Sequence, residues 1–200
     1  MRGRAIALVA ALAAAGCAPM ALVNDGLDSA QRRARPEAMA NWQIDGRLAI
    51  DTGKRAFLGR FKWQESDRHL LLAVHGPLGA GSVRIEGTAQ DLTVAARGRT
   101  WRLTDPEADL SRLVGWWVPV ASLDSWLRGL PDADYPARTS RGRYGTLTSL
   151  LQRRWQLRFS DYAVKSSVLL PTKIVMANGP LQIKLSVDAF TSAPPAGRLN

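Results

Sequence analysis

The hydrophobic and polar positions along most of the chain alternate with a period of two, which predicts β-strands. The clearest example is residues 42–51, where Trp42, Ile44, Leu48 and Ile50 are separated by polar or small residues. Comparable segments follow at residues 57–64, 69–74, 83–85, 92–94, 101–103, 144–151, 155–159, 174–176 and 181–187. Asn178-Gly179 before the last of these indicates a hairpin turn. We therefore expect about ten strands in one antiparallel sheet.

The pattern changes to a helical period between residues 104 and 129. Thr104-Asp105-Pro106-Glu107 is typical of a helix start, and the apolar residues that follow it share one side: Leu110, Leu113 and Val114. Pro119 precedes a second helical segment, which ends at Gly129 and has an apolar side made of Leu123, Trp126 and Leu127. A sheet of about ten strands must close, split or be covered on one face. We therefore predict a mostly β fold whose single antiparallel sheet curls over these helices.

Large apolar side chains repeat on one face of the predicted strands: Trp42, Phe61, Trp63, Leu72, Trp101, Trp155 and Phe159. A face of this kind ordinarily forms a solid hydrophobic core. It can instead line a cavity, and both arrangements have the same period along the chain. The pattern alone therefore leaves core and cavity as alternatives.

The N-terminus has the composition of a bacterial secretory signal. Arg2 and Arg4 precede an apolar run over residues 5–15, and small residues then lead into Cys17, the only cysteine of the chain. The run is shorter than the roughly 20 residues that span a bilayer. The segment resembles a lipobox, although Ala14 stands where leucine is usual. We predict that residues 1–16 are removed and that Cys17 carries the lipid anchor. Ala18, rather than aspartate, favours the outer membrane.

The organisation expected from these signals is a single domain with a leader and two flexible ends. After the signal, residues 17–40 should form a lipidated tether and residues 41–190 the folded domain. Residues 191–200, which include two consecutive prolines, have the composition of a disordered tail. No later apolar run is long enough to predict a transmembrane helix.

The charge is basic, with 27 Lys and Arg against 17 Asp and Glu and a formal net charge of +10. The arginines are scattered and no nucleic-acid-binding motif accompanies them, so we expect no nucleic acid partner. Arg138, Arg141 and Arg143 are predicted in a loop, and Arg154 and Arg158 on one face of a strand. A solvated surface explains them most simply, and attraction to an anionic membrane surface or an acidic partner is the second explanation.

Residues that could carry chemistry are scarce. His69 and His75 are the only histidines, and no His or Cys cluster has metal-ligand spacing. The glycine-rich segment at residues 76–81 lacks the lysine of a phosphate-binding loop, and no nucleophile motif is present. The sequence therefore predicts neither an enzyme nor a bound metal or cofactor.

The loop Gly76-Pro77-Leu78-Gly79 places a leucine at the tip of a stiff turn between two strands. A single exposed apolar residue is usually without function. In a protein tethered to a bilayer, however, such a leucine could insert into the lipid interface.

Several segments, in this order along the chain, together resemble the LolB family of outer-membrane lipoproteins. They are Trp42-Gln-Ile-Asp-Gly-Arg-Leu-Ala49, Gly59-Arg-Phe-Lys-Trp-Gln64, Leu70-Leu-Leu72 with Gly76-Pro-Leu-Gly79, residues 119–131, and Leu170-Pro171 with Gln182-Ile-Lys-Leu185. They extend from residue 42 to residue 187, nearly the whole of the mature chain.

The resemblance implies a fold, a site and partners. The fold would be an unclosed, or half, β-barrel with two or three short helices as a lid over an apolar cavity for acyl chains. Candidate cavity residues are Trp42, Leu48, Ile50, Phe61, Trp63, Leu72, Trp101, Trp126 and Trp155. Gly76, Pro77, Leu78 and Gly79 would form a membrane-inserting loop.

By the same resemblance, the protein would be a monomer on the periplasmic face of the outer membrane. It would take acylated lipoprotein cargo from a periplasmic LolA-like carrier and insert it into the inner leaflet. Two other classes stay open: a generic lipid-binding module of similar shape, and a structural outer-membrane lipoprotein with a solid β core.

Overall fold

The computed structural model describes residues 39–77 and 81–192, which form eleven strands, two α-helices and one 3₁₀ turn. The first six strands are β1 Asn41–Asp51, β2 Ala56–Ser66, β3 His69–His75, β4 Val83–Gly87, β5 Leu92–Ala96 and β6 Arg99–Leu103. The helices are α1 Pro106–Val114 and α2 Val120–Leu127. The remaining strands are β7 Ala137–Arg141, β8 Leu147–Gln152, β9 Trp155–Lys165, β10 Val168–Asn178 and β11 Leu181–Ser192, and the 3₁₀ turn is Arg143–Gly145.

All described strands lie in one antiparallel sheet with the order β6-β5-β4-β3-β2-β1-β11-β10-β9-β8-β7. Strands β1 to β6 form one meander and β7 to β11 a second. The two meanders join where β1 pairs with β11, for example through Leu48 opposite Leu185. Strands β6 and β7 remain the two edges of the sheet, so the sheet is not closed. The predicted mostly β, unclosed antiparallel fold is confirmed.

The two helices lie in the segment that connects the edge strands β6 and β7. Helix α1 begins where the sequence predicts, because the side chain of Asp105 accepts a hydrogen bond from the backbone N–H of Ala108 at 3.2 Å and Pro106 suits the first turn. It ends at Gly115, whose φ of 87° continues the chain out of the helix. Within the described residues, neither helix is long and apolar enough to cross a membrane.

A stack of aromatic rings closes one end of the sheet's inner face. Trp42 on β1 lies parallel to Trp63 on β2, with ring centroids 6.2 Å apart, and also stacks on Phe190 of β11 at the same distance. All three side chains are buried. They occupy the end of β1 at which the chain enters the sheet, so that end is solid core.

Strand β7 was not predicted, and the predicted positions of three arginines are corrected, two of them because they lie in β7. Arg138 and Arg141 lie in β7 rather than in a loop, and all five residues of the strand are exposed. An edge strand needs only backbone pairing on one side, here to β8, so it shows no alternation of apolar residues. Arg154 lies in the tight turn between β8 and β9, with φ of 61°, and not on the strand that carries Arg158.

Parts of the predicted organisation fall on residues 1–38, 78–80 and 193–200, outside the described residues. They are the signal, the lipid anchor Cys17, most of the tether, the loop residues Leu78 and Gly79, and most of the tail. These remain predictions. Strand β11 includes Thr191 and Ser192, the first two residues of the expected tail, which pair with Gln43 and Trp42 of β1.

Candidate functional site

A cavity of about 1120 Å³ lies between the inner face of the sheet and the two helices. Its wall is aliphatic and aromatic, with Leu48, Phe61 and Leu185 from the sheet facing Leu110 and Leu123 from the helices. Ligand pockets for small molecules commonly measure about 300–1,000 Å³. This cavity is therefore larger than an ordinary small-molecule site. Its wall has few hydrogen-bonding groups, which suits an apolar ligand.

Seven of the nine candidate cavity residues border this space: Leu48, Ile50, Phe61, Trp63, Leu72, Trp126 and Trp155. The other two do not. Trp42 is 1% exposed because it is enclosed in the aromatic stack with Trp63 and Phe190. Trp101 packs against the core from the edge strand β6 without reaching the cavity wall.

Two glycines in strands leave room for aromatic rings that pack against the sheet beside the cavity. A Cβ on Gly46 would stand 2.3 Å from the carbonyl oxygen of Ser186 and 2.8 Å from the ring of Phe61. A Cβ on Gly59 would meet the His75 carbonyl oxygen at 2.6 Å and the ring of Phe57 at 2.8 Å. Any other residue at these positions would displace backbone. The glycines therefore set how closely Phe57 and Phe61 approach the sheet, and both rings line the cavity.

The helices are fastened to the far half of the sheet by Arg153, in the turn between β8 and β9. Its guanidinium donates two parallel hydrogen bonds to Glu107 of α1, at 2.8 and 2.7 Å, and a third to the hydroxyl oxygen of Ser122 in α2 at 3.2 Å. The guanidinium also lies 4.0 Å from the ring centre of Tyr135 and 5.0 Å from that of Trp117. One side chain thus joins both helices to the β8–β9 turn of the sheet.

A second, buried network of hydrogen bonds joins α2 to strand β8. The side-chain oxygen of Gln152 accepts hydrogen bonds from the Trp126 indole N–H at 2.8 Å and from the Asp132 backbone N–H at 2.9 Å. The side-chain amide of Gln152 donates to the carbonyl oxygens of Asp132 and Tyr135, both at 2.7 Å. Ser122 completes the network by donating to Asp132 at 2.6 Å. The sequence analysis missed Gln152 and Arg153, because neither follows a periodic pattern or a motif.

An acidic side chain, Glu65, lies on the inner side of the sheet opposite Trp42 of the aromatic stack. Glu65 is on the same face of β2 as Phe61 and Trp63, and it is half-buried. Burial raises the pKa of its carboxyl group to about 7, and the negative charge of Asp124 on α2 adds to the increase. Arg128, which pairs with Asp124, acts in the opposite direction. The carboxyl group of Glu65 therefore changes its protonation state near neutral pH.

Glu65→Gln should reveal this carboxyl group in the pH dependence of stability. The pKa of Glu65 in the folded protein, about 7, exceeds the ordinary glutamate value of 4.5, so the folded protein binds the proton more tightly than the unfolded chain does. Stability present below pH 4.5 is therefore lost as the pH rises to 7, by up to about 3 kcal/mol. We expect urea denaturation to show the variant gaining on the wild type across this range. A difference in stability that stays constant from pH 4 to 8 would contradict the assignment.

The family model and the relatives of similar sequence give the same family assignment. The family model described as "Outer membrane lipoprotein LolB" matches residues 40–189. An outer-membrane lipoprotein LolB from Nitrosococcus oceani is 33% identical over 190 residues, which cover 92% of this chain and 94% of that protein. One from Coxiella burnetii is 30% identical and covers 92% and 90%. A solved LolA superfamily protein from Nitrosomonas europaea is 10% identical over 84% of this chain and 91% of that chain, with a TM-score of 0.48.

Proposed function

Because this chain belongs to the LolB family of outer-membrane lipoproteins, we propose that its cavity holds the acyl chains of other lipoproteins on their way into the outer membrane. As a member of that family the protein is a lipoprotein of the outer membrane and not an enzyme. The proposed cycle has three steps: transfer of the cargo from a periplasmic LolA-like carrier, retention of its acyl chains, and release into the inner leaflet.

The observation that carries the proposal is the apolar cavity under the helices. A lipoprotein cannot cross water alone, because each exposed methylene group costs about 0.8 kcal/mol, and a long acyl chain costs on the order of 10 kcal/mol. A cavity of about 1120 Å³ walled by Phe61, Leu123 and Trp155 can remove much of that surface from water. The bilayer removes all of it, so transfer from cavity to membrane is downhill without a nucleotide.

The proposal is tested by the molecules that the purified protein retains. We expect acylated lipoprotein, supplied on its carrier, to displace a fluorescent fatty-acid probe from the cavity, and mass spectrometry to identify the lipoprotein in the complex. If only free phospholipid copurifies and lipoprotein does not displace the probe, the protein is a generic lipid carrier. If the probe does not bind at all, the cavity has no role in lipid binding.

The loop that contains Leu78 is proposed to act in the release step. The structure describes the residues on both sides of this loop, at one end of strands β3 and β4. Pro77 is exposed, and Gly81 and Ser82 border the cavity. A leucine side chain that enters lipid contributes roughly 1.5–3 kcal/mol, whereas a carboxylate at the same place must be desolvated. We therefore propose that the leucine inserts into the membrane while cargo leaves the cavity.

Leu78→Glu should separate uptake from delivery. The variant should fold, accept lipoprotein from the carrier, and release it into liposomes roughly 10- to 100-fold more slowly than the wild type, in keeping with the loss of about 1.5–3 kcal/mol. A transfer assay that samples carrier, receptor and liposomes separately measures both steps. Leu58→Glu is the matched control, since Leu58 is a 63%-exposed leucine on the outer face of β2. Delivery at the wild-type rate by Leu78→Glu would exclude the insertion step.

A further inference from the structure

Positively charged side chains surround the mouth of the cavity, at one end of the strands of the first meander. In a meander, every second turn lies at the same end of the strands, so the β1–β2 turn, the β3–β4 loop and the β5–β6 turn are neighbours. Lys54 and Arg55 belong to the first of these turns and Arg97 to the third, and all three border the cavity. We call Lys54, Arg55 and Arg97 the basic rim. The rim flanks the β3–β4 loop on both sides.

The basic rim is not neutralised by neighbouring acids. Its three side chains are exposed, and none of them has an ion-pair partner among residues 39–77 and 81–192. The nearest carboxylate along the chain is Asp51, the last residue of β1, which accepts a hydrogen bond from the Gly53 backbone N–H at 2.8 Å. With three cations against this one carboxylate, the opening of the cavity carries a net positive charge.

The turns at the opposite end of the same strands have a different balance of positive and negative side chains. The two turns contain Asp67 and Arg68 in one and Asp91 in the other, and Asp91 pairs with Arg102 at 2.6 Å. Asp67 and Arg97 occupy equivalent first positions in their two-residue turns, with φ values of 49° and 52°. The concentration of unpaired cations is therefore a property of the mouth and not of every turn in the sheet.

The lipid anchor alone cannot orient the mouth toward the membrane. Strand β1 begins at Asn41, at the end of the sheet away from the mouth. Its eleven residues extend roughly 36 Å to the end where the mouth lies. A chain from Cys17 to Asn41 reaches at most about 80 Å. A span of that length would permit the mouth to meet the bilayer without requiring it, so a second interaction is needed to set the orientation of the domain.

We propose that the basic rim binds the anionic phosphate groups of membrane phospholipids and holds the cavity mouth against the bilayer. This inference rests on the proposed function, because it concerns the opening through which cargo would leave. Each basic side chain near an anionic surface contributes on the order of 1 kcal/mol, and salt screens the attraction. The bilayer is favoured over an acidic protein as the partner, because a protein anchored in the outer membrane always has that surface within reach.

The test measures how the full chain carrying Cys17→Ala, which removes the anchor, binds lipid vesicles. Vesicles of phosphatidylcholine alone are compared with vesicles containing about 30% phosphatidylglycerol, at low and high salt. We expect a preference for anionic vesicles that high salt removes. Lys54→Gln, Arg55→Gln and Arg97→Gln combined should weaken anionic binding roughly 10- to 100-fold. The control replaces Arg68, Arg138 and Arg158 by Gln, because these exposed arginines give the same change in net charge away from the mouth.

Three results would overturn the inference: no preference for anionic vesicles, equal losses in the rim and control variants, or a rim variant that loses only transfer from the carrier. The third result would assign the rim to an acidic protein surface. Failure of the proposed function is seen separately, as failure of the wild type to bind the acyl probe in solution without vesicles.

Discussion

Leu72→Glu should weaken acyl-chain binding roughly 10- to 100-fold, which corresponds to about 1–3 kcal/mol for an apolar ligand placed against a desolvated polar group. Leu72 is half-buried on β3, pairs with Trp63 of β2 and Ile85 of β4, and borders the cavity. Its replacement changes the chemistry of the wall without removing a buried ring. Titration of a fluorescent fatty-acid probe measures the affinity.

Two further variants separate binding from stability in this experiment. Leu58→Glu makes the same substitution on the outer face of the neighbouring strand β2, and we expect it to change neither binding nor melting temperature. Leu147→Ala removes a side chain that is 1% exposed and does not border the cavity. It should lower the free energy of unfolding by about 2–5 kcal/mol yet leave probe affinity intact well below the melting temperature. Equal losses of affinity in Leu72→Glu and Leu147→Ala would show that binding merely follows stability.

Cys17→Ala should release the protein entirely into the soluble periplasmic fraction when another signal directs its export. Cys17 is the only cysteine, and no helix in the described residues is suited to cross a membrane. A lipobox cysteine carries two or three acyl chains, each contributing about 0.8 kcal/mol per methylene group, so the loss exceeds 10 kcal/mol. Membrane fractionation with a salt wash measures the distribution. Ala14→Leu, which restores the residue usual in a lipobox, should stay with the membrane, and a Cys17→Ala protein that still pellets would indicate a second anchor.

Except in β7, the sequence predicted each strand from its alternating apolar side chains, although it assigned only residues 174–176 to β10, which is Val168–Asn178. In β1, buried Trp42, Ile44 and Leu48 alternate with less buried neighbours, and the strand appears at the expected place. Strand β7 failed the same criterion because its pairing is a backbone interaction that leaves all of its side chains exposed. Helix α1 was predictable from local chemistry alone, since Asp105 and Pro106 satisfy the requirements of its first turn.

The candidate site was only partly predictable, for a geometric reason. Side chains that line a cavity and side chains that fill a core have the same period along a strand, so alternation could not exclude Trp42, which is enclosed by Trp63 and Phe190. The contacts that hold the helices over the cavity were beyond reach for another reason. Arg153 and Glu107 are 46 positions apart and meet only because the sheet returns β8 and β9 to the helices.

The most direct test of the central claim is photo-crosslinking from inside the cavity to bound cargo. A photoreactive amino acid replaces Ile183, which borders the cavity from β11, and in a second protein it replaces Leu58 on the outer face. After transfer of a triacylated lipoprotein, irradiation and mass spectrometry locate the adduct. Position 183 should crosslink to the acyl chains and position 58 should give none. Equal crosslinking at both positions, or adducts at position 183 only with the protein part of the cargo, would contradict an acyl-chain cavity.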